Sequence, residues 1–534
     1  MTLTVCIPTA GRGTRMGVYT SVINKALLPI DKKAVISHII SSFPEKSEFV
    51  IPLGEMGEQV RNYLNIAHPN TTFHFIYVDN IDGPNSGPGY SLLCCKDKLN
   101  KPFFFVSCDT LWRGDVLDTS FNWLGVSIVP EDESERLCNV EIDSANQQVI
   151  SLHDKVKAFG ENFRAFTGLC FIKDHYTFWD GLEDPEMITG EHQISSGLKR
   201  LVEKSEIKAI DIGWDDVGTI GNYREIMNRY EAYDFSKTNE FLYIVNGKVI
   251  KFFADNNVAD KRVQRASMNQ KVFPLIKKQV HQFYAYDFHP GKTLYEENNT
   301  LILKNLLDWL NLNLWKTPIT SNDEMLAICQ KFYKEKTLNR LEIFGKKYPG
   351  SDIESKVNSI TVPSISDLME RVPWETLYDG IPCFLHGDLQ FDNILFDQAT
   401  ENFLLLDWRE DFGGCLEFGD IYYDYAKLNG GILLNYDYIK ANLLQFEENG
   451  DEIFFDFAQR RNSYVYEEIL HNFIRKNGHE LNKVRLLVPL IYLNMSPLHH
   501  YPFDKILHAL GRQMLDLVLN YQNTTFGRRD EQKN

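Results

Sequence analysis

Three things are scarce in this 534-residue chain, and each scarcity argues against a class of function. Paired cysteines are missing: the nine cysteines show no CxxC spacing, and two of them, Cys94 and Cys95, are adjacent. A structural zinc site needs paired ligands at set spacing, so none is expected, and unpaired cysteines point to a reducing compartment, the cytoplasm. Positive charge is in deficit, with 56 Lys and Arg against 73 Asp and Glu and a formal net charge of −17. A nucleic-acid backbone or an anionic membrane attracts the opposite sign, so neither is an expected partner. Small anions stay open, because a site for them needs only a few local cations and often a metal. Long apolar runs are missing, none reaching the ~18 residues of a membrane span. Met1–Pro8 is a short apolar run without a basic flank and reads as a strand, not a leader. No internal repeat is visible.

What is present is ordinary globular composition, 43% apolar and 24% charged. At ~150 residues per domain the length implies two to four domains. Over the first ~230 residues short apolar runs (Leu3–Ile7, Phe49–Leu53, Phe73–Val78, Phe103–Ser107) alternate with helical patterns. Val60, Tyr63, Leu64 and Ala67 recur at i, i+3, i+4 and i+7, one face of a helix. Buried strands alternating with helices predict an α/β domain with a mainly parallel, Rossmann-like sheet. The polar stretch Asp234–Asn239 is the expected linker between a domain at 1–233 and another at 240–534. Beyond it, Phe241–Val245 and Val249–Phe253 flank Asn246-Gly247, a hairpin signal, and Leu303, Leu306, Leu307, Leu310 and Leu314 form one helical face. A small β lobe followed by a larger helical lobe, an α+β domain, is the expectation.

Directly after the first strand comes Ala10-Gly11-Arg12-Gly13-Thr14-Arg15-Met16, with Lys25 nine residues on. Glycines let a backbone approach a ligand, exposed N–H groups cradle phosphates, and Arg15 and Lys25 add charge beside them. Together with Lys25–Ile30 (KALLPI), this string resembles the sugar-phosphate nucleotidyltransferase family over residues 1 to 230. The resemblance implies that Ala10, Gly11, Gly13 and Thr14 hold a nucleoside triphosphate whose phosphates Arg15 and Lys25 contact. It implies a base-binding loop at Ser86–Gly89, with Gly87 in it, and a metal aspartate at Asp109. It places the acceptor beside Lys155, Gly168 and Glu191, and the second metal motif at Trp214–Thr219 with Asp216 as ligand. Mg²⁺ held by Asp109 and Asp216 would polarise the α-phosphate. The family's base-reading glutamine is not evident near Gly87, which leaves the base open.

The second motif is Leu385–Leu395, LHGDLQFDNIL, followed fourteen residues after Asn393 by Asp407. An Asp, an Asn five residues on and an Asp after a following strand are what a kinase needs: Asp388 to take the proton of an attacking hydroxyl, Asn393 and Asp407 to hold Mg²⁺ on ATP phosphates. The string resembles the aminoglycoside phosphotransferase and choline kinase family, which has a protein-kinase-like fold, over residues 240 to 534. That resemblance implies a supporting role for His386, a buttress at Gly419–Asp424, a phosphate-contacting lysine at Lys251 and an adenine-facing hinge at Tyr286. The family's glycine-rich phosphate loop is missing, and no Asp or Glu between Asp260 and Asp287 is available to pair with Lys251. His499-His500 has no ligand partner at useful spacing and reads as structural.

Two such sites in one chain imply a bifunctional enzyme using Mg²⁺, ATP, a second nucleoside triphosphate and a small-molecule acceptor. It would phosphorylate a hydroxylated metabolite, a sugar or polyol, and then couple the phosphate to a nucleotide for glycan synthesis. The alternative is a choline or ethanolamine kinase joined to the matching cytidylyltransferase; Trp309, Trp315, Trp374 and Trp408 are the aromatic residues such a cage would draw on. A degenerate kinase half acting as a binding module is a third reading. Oligomeric state is open.

Overall fold

A computed structural model of the chain describes residues 2–530 except 116, 186, 189, 231–238 and 298, with side chains to residue 521. All but Asn239 of the expected linker 234–239 lies outside the described residues. The chain forms two compact units. The first is organised by nine strands: β1 (Thr4–Cys6), β2 (Glu48–Leu53), β3 (Thr72–Tyr77), β4 (Phe103–Val106), β5 (Asn122–Ser127), β6 (Cys138–Asp143), β7 (Gln148–Asp154), β8 (Phe163–Ile172) and β9 (Ile207–Asp211). Their order in the sheet is β3-β2-β1-β4-β8-β5-β9-β7-β6.

The sheet is parallel across β3-β2-β1-β4 and mixed beyond. The strand β8 is antiparallel to β4 and β5, β9 is parallel to β5, and β7 is antiparallel to β9 and β6. This corrects the expectation of a mainly parallel sheet. Helices separate β1, β2 and β4 from their neighbours and lie again between β8 and β9, but β6 and β7 are joined by a tight turn with Gln147 at φ 59°, and a short turn can only join antiparallel neighbours. The crossover helix Gly57–Ala67 buries Val60, Tyr63, Leu64 and Ala67 completely, the face the periodicity predicts. Between β1 and β4 the strand order reverses direction. In open sheets of this kind, loops leaving adjacent strands there part to opposite faces and leave a crevice at the carboxyl ends. The loops after Cys6 and after Val106 both open into it.

After residue 239, Glu240–Val245 and Lys248–Phe253 pair as the predicted hairpin. Asn246 and Gly247 take φ of 49° and 70°, the left-handed pair that a two-residue turn needs. The hairpin belongs to a four-stranded sheet with Phe283–Asp287 and Lys278–Val280. The expected domain 240–534 includes these strands, yet both hairpin strands and Lys278–Val280 cluster with the first unit. The reason is apolar: Tyr243, Ile250, Phe252 and Phe283 share one buried core with Val60 and Tyr63. Polar contacts fix the register, with Tyr243 Oη donating to Leu27 O at 2.7 Å, Ile244 N to Lys32 O at 2.6 Å and Asn246 Nδ2 to Ala67 O at 2.9 Å.

The second unit comprises Asp255–Lys277 and the chain from Tyr286 on. It is mainly helical, as expected, with Thr300–Asn313 burying Leu303, Leu306, Leu307 and Leu310. Long helices at Ile421–Leu433, Ser463–Lys476, Leu481–Met495 and Phe503–Asp530 carry most of the rest. The unit contains a hairpin, Ile394–Asp397 with Asn402–Leu405. Ile394 faces Leu405, so Asn393 and Asp407 emerge side by side from the open end. Among the described residues no helix is long and apolar enough to cross a membrane.

The buried Tyr243 tests whether the hairpin belongs to the first unit's core. Tyr243→Ala should destabilise the first unit by about 3–5 kcal/mol and Tyr243→Phe by about 1 kcal/mol, read from the denaturant midpoint of the full chain.

Candidate functional site

The glycine-rich loop is shaped by its neighbours rather than by its own sequence. Gly13 sits at φ 65°, and Thr20 Oγ1 donates to its carbonyl at 3.0 Å. A side chain on Gly11 would meet nothing within 4 Å, so the loop faces open space there. Ala10 is buried, and its carbonyl accepts Glu55 N at 3.2 Å. Thr14 and Arg15 are exposed. Asn24, which motif reading passed over, ties the next segment down: its Nδ2 donates to Thr9 O at 3.0 Å and Glu55 O at 2.9 Å, and its N–H donates to Gln59 Oε1 at 3.0 Å. That network aims Lys25 inward, where it is almost fully buried.

Lys25 makes an ion pair with Asp109, which also accepts a hydrogen bond from Ser107 Oγ. Burial alone would raise the Asp109 pKa, but Lys25, Ser107 and Arg15 outweigh it and hold the carboxyl below its usual range. Asp216 reaches the same place through a ribbon. Thr110–Arg113 pairs antiparallel with Gly213–Asp216, setting Asp216 opposite Thr110, and Val217 N donates to Asp109 O at 2.8 Å. Both carboxylates converge on Gly218: a Cβ there would lie 2.6 Å from Asp216 Oδ1 and 3.1 Å from Asp109 Oδ2. Arg136, absent from the sequence reading, donates to Asp216 Oδ2 at 2.9 Å and is paired with Glu133 at 2.6 Å. No motif marks Arg136, because it arrives from a separate segment just before β6.

Of the residues expected around an acceptor, Lys155 and Glu191 meet, while Gly168 lies against Ser107 and Thr110. Lys155, at φ 50° just past β7, forms a 3.2 Å ion pair with Glu191, and both side chains are about half exposed. Gly168, at φ 82°, lies in a register shift of β8 and accepts Ser107 N at 2.8 Å; a Cβ on it would press on Ser107 and Thr110. Gly87 abuts the segment carrying Glu191, since His192 N donates to Ser86 O at 2.7 Å and a Cβ on Gly87 would lie 2.6 Å from His192 O.

In the second unit, His386 organises the Leu385–Leu395 segment. Its Nε2 donates to Leu406 O at 2.7 Å and its Nδ1 accepts Asp388 N at 3.1 Å. Burial lowers the His386 pKa to about 4, so the ring is neutral. Asn393 Nδ2 donates to Asp388 O at 2.9 Å, which leaves its amide oxygen as the group to offer a ligand. Asp407 sits at φ 55° with Arg262 Nη1 3.8 Å away. Lys427, another residue without a motif, donates to Asp388 at 2.6 Å from the helix Ile421–Leu433. Asp424 on that helix, wholly buried, accepts His386 N at 2.9 Å, Gly387 N at 2.8 Å and Trp315 Nε1 at 3.0 Å. The fully buried Arg265 donates to the carbonyls of Leu385, Leu416 and Arg409. Helix Asn256–Met268 thus presents arginines, Arg262 and Arg265, where the family resemblance implies a glutamate. Lys251 is buried on a strand of the first unit, whereas Tyr286, at the end of its strand, falls in the second.

The two carboxylate sets are hard oxygen donors, the type that suits Mg²⁺. Among the described residues no group of three or more His, Cys, Asp or Glu side chains is arranged to hold a metal. Two carboxylates at Gly218, or one carboxylate and one amide oxygen at the hairpin, fit an ion that completes its shell with water and substrate phosphates.

Comparison with known proteins assigns residues 5–151 to a MobA-like NTP transferase domain. The chain is 23% identical over 217 residues to the "Bifunctional protein GlmU" of Methanococcus vannielii, covering 39% of this chain and 50% of that one. It is 22% identical over 245 residues to the protein of that name from Methanococcus maripaludis, covering 45% and 56%. The chain therefore spans about half the length of the curated relatives it matches. Among solved structures, a UDP-glucose pyrophosphorylase complexed with UDP-glucose aligns with a TM-score of 0.38 and 18% identity, over 43% of this chain and 98% of that one. The N-terminal part of the chain carries a nucleotidyltransferase domain.

Two outcomes check this geometry. Gly218→Ala should lower NTP-dependent pyrophosphate release by about 100-fold or more, because its methyl crowds both carboxylates, with little change in melting temperature. The pH test follows from His386. Its folded pKa is lowered, so the unfolded chain takes up the proton first; the second unit should lose stability as pH falls from the ordinary histidine value near 6.5 towards 4, and His386→Asn should flatten that slope.

Proposed function

We propose that the chain is a bifunctional enzyme that phosphorylates a small hydroxylated metabolite with ATP and then transfers a nucleotidyl group onto that phosphate. The observation that carries the transferase half is the convergence of Asp109 and Asp216 on Gly218 beside the buried Lys25. It lies at the carboxyl ends of β1 and β4, where the strand order reverses and where a nucleotide is expected to bind. In this reading the loop from Ala10 to Thr14 receives the triphosphate. Lys25 and Arg15 offset charge on the departing pyrophosphate. An oxygen of the acceptor phosphate bonds to the α-phosphorus as the bond to the bridging oxygen breaks. Lys155 and Glu191 orient the acceptor, and Gly87 and its neighbours face the base. Asp109 and Asp216 would hold Mg²⁺, which when bound supplies Lewis-acid polarisation of the α-phosphate. The resemblance to sugar-phosphate nucleotidyltransferases supports a sugar phosphate as the acceptor.

The kinase half rests on Asp388, Asn393 and Asp407. The hairpin brings Asn393 and Asp407 together, and Asn393 is hydrogen-bonded to the backbone of Asp388. The acceptor hydroxyl gives its proton to Asp388, its oxygen bonds to the γ-phosphorus, and ADP leaves with the β–γ bridging oxygen. Lys427 orients Asp388 through its ion pair. Asn393 and Asp407 would hold Mg²⁺ on the ATP phosphates. Tyr286 is the proposed nucleotide contact of this step within the second unit.

The two steps separate by mutation. In a full-chain assay with Mg²⁺, ATP and the other nucleoside triphosphates, Asp109→Asn should stop pyrophosphate release and let the phosphorylated acceptor accumulate. Asp388→Asn should cut ADP formation by about 1,000-fold or more yet leave nucleotidyl transfer to supplied acceptor phosphate. An Asp388→Asn protein that still phosphorylates at the wild-type rate refutes the kinase assignment.

A further inference from the structure

Several basic side chains besides Lys427 surround Asp388. Lys427 contacts Asp388 at 2.6 Å. Arg409 Nε approaches Gly387 O at 3.4 Å, and its guanidinium lies 5.2 Å from the centre of the Phe332 ring. The Lys336 ammonium stands 3.9 Å from the same ring and 5.8 Å from Tyr423. Arg340, one turn further along the helix Lys336–Lys347, interacts electrostatically with Arg409. Four basic side chains, Lys427, Arg409, Lys336 and Arg340, thus gather around two aromatic rings next to the proposed base. The carboxylates facing them are Asp388, held by Lys427, and Glu410, shared between Arg409 at 3.9 Å and Arg262 at 3.6 Å. Among the described residues no carboxylate lies within ion-pair distance of Lys336 or Arg340.

Such a grouping is unfavourable by itself. Burial, then the charges of Arg409, Lys427 and Arg340, push the Lys336 pKa well below the usual lysine range. In a chain of net charge −17, carboxylates to neutralise it are plentiful elsewhere, so the local excess is specific. The backbone is specialised at the same point: Gln330–Glu335 is a π-helical segment between the helices Asn322–Cys329 and Lys336–Lys347, and it carries Phe332 into the cluster. Single π-helical turns recur at functional sites, because the extra residue re-aims side chains at an energetic penalty that an ordinary core has no reason to keep.

We propose that Lys336, Arg340 and Arg409 anchor the kinase acceptor, and that this acceptor carries an anionic group, a carboxylate or phosphate, besides the hydroxyl served by Asp388. The proposal rests on the reading of Asp388 as the catalytic base. A quaternary ammonium or amino alcohol is the wrong charge for this site, and a neutral polyol leaves the cations uncompensated. The product would then reach the transferase step with two anionic groups.

The test uses the full chain with Mg²⁺ and ATP, following ADP release with four acceptor sets: sugar acids, sugar monophosphates, neutral sugars and polyols, and amino alcohols including choline. Turnover confined to either anionic set supports the proposal, and the set that reacts identifies the group. Lys336→Met and the more exposed Arg340→Gln should each raise the KM for that acceptor by about tenfold with the KM for ATP unchanged. A rise in the ATP KM instead would assign the cations to ATP and overturn the proposal. Efficient turnover of neutral or cationic acceptors would overturn it and leave the kinase reading standing. No ADP release with any acceptor, from protein still active in nucleotidyl transfer, would overturn both.

Discussion

The constraint on which the rest depends is electrostatic: oxyanions must be held next to other oxyanions. The pair of Lys25 and Asp109 is how the first unit meets it. Lys25 is buried beside a carboxylate that burial would otherwise neutralise, and each keeps the other charged. A cation and a hard oxygen donor therefore remain ready at one point. The parallel strands β1 and β4 bring that point about, since the loops leaving their carboxyl ends are adjacent in space though about a hundred residues apart in sequence. The ribbon of Thr110–Arg113 with Gly213–Asp216 adds the second carboxylate.

The second unit holds its own motif segment with backbone contacts. Asp424 accepts two consecutive N–H groups of the His386–Asp388 segment, while Arg265 gathers carbonyls on either side of it. These two buried groups satisfy the polar backbone of a loop that enters the core, a requirement for any loop of this kind. His386, kept neutral by burial, links Leu406 O to Asp388 N and so couples the two aspartate-bearing segments. Rigidity of this sort is what lets a carboxylate act at a defined position.

Much of the architecture was legible residue by residue. Asn246-Gly247 predicts its hairpin because few residues accept positive φ in succession, and Val60, Tyr63, Leu64 and Ala67 predict their helix because a core takes one stripe. The mixed sheet was harder to read, because the short apolar runs of β6 to β9 look alike whether they pair parallel or antiparallel. The home of the hairpin was also hidden. Its apolar face suits any core, and only packing against Tyr63 decides which core it joins.

What the sequence determined by itself was local: turns, amphipathic faces, and motif residues whose spacing is short enough for one loop or hairpin to bring them together, as with Asp388 and Asn393. What only the tertiary structure decided was the company those residues keep. Arg136 beside Asp216, Lys427 beside Asp388, and Lys336 with Arg340 and Arg409 around Phe332 all come from separate segments. Charge acts through space over a few ångströms, and the chain distance between two groups says nothing about that separation until the fold has closed.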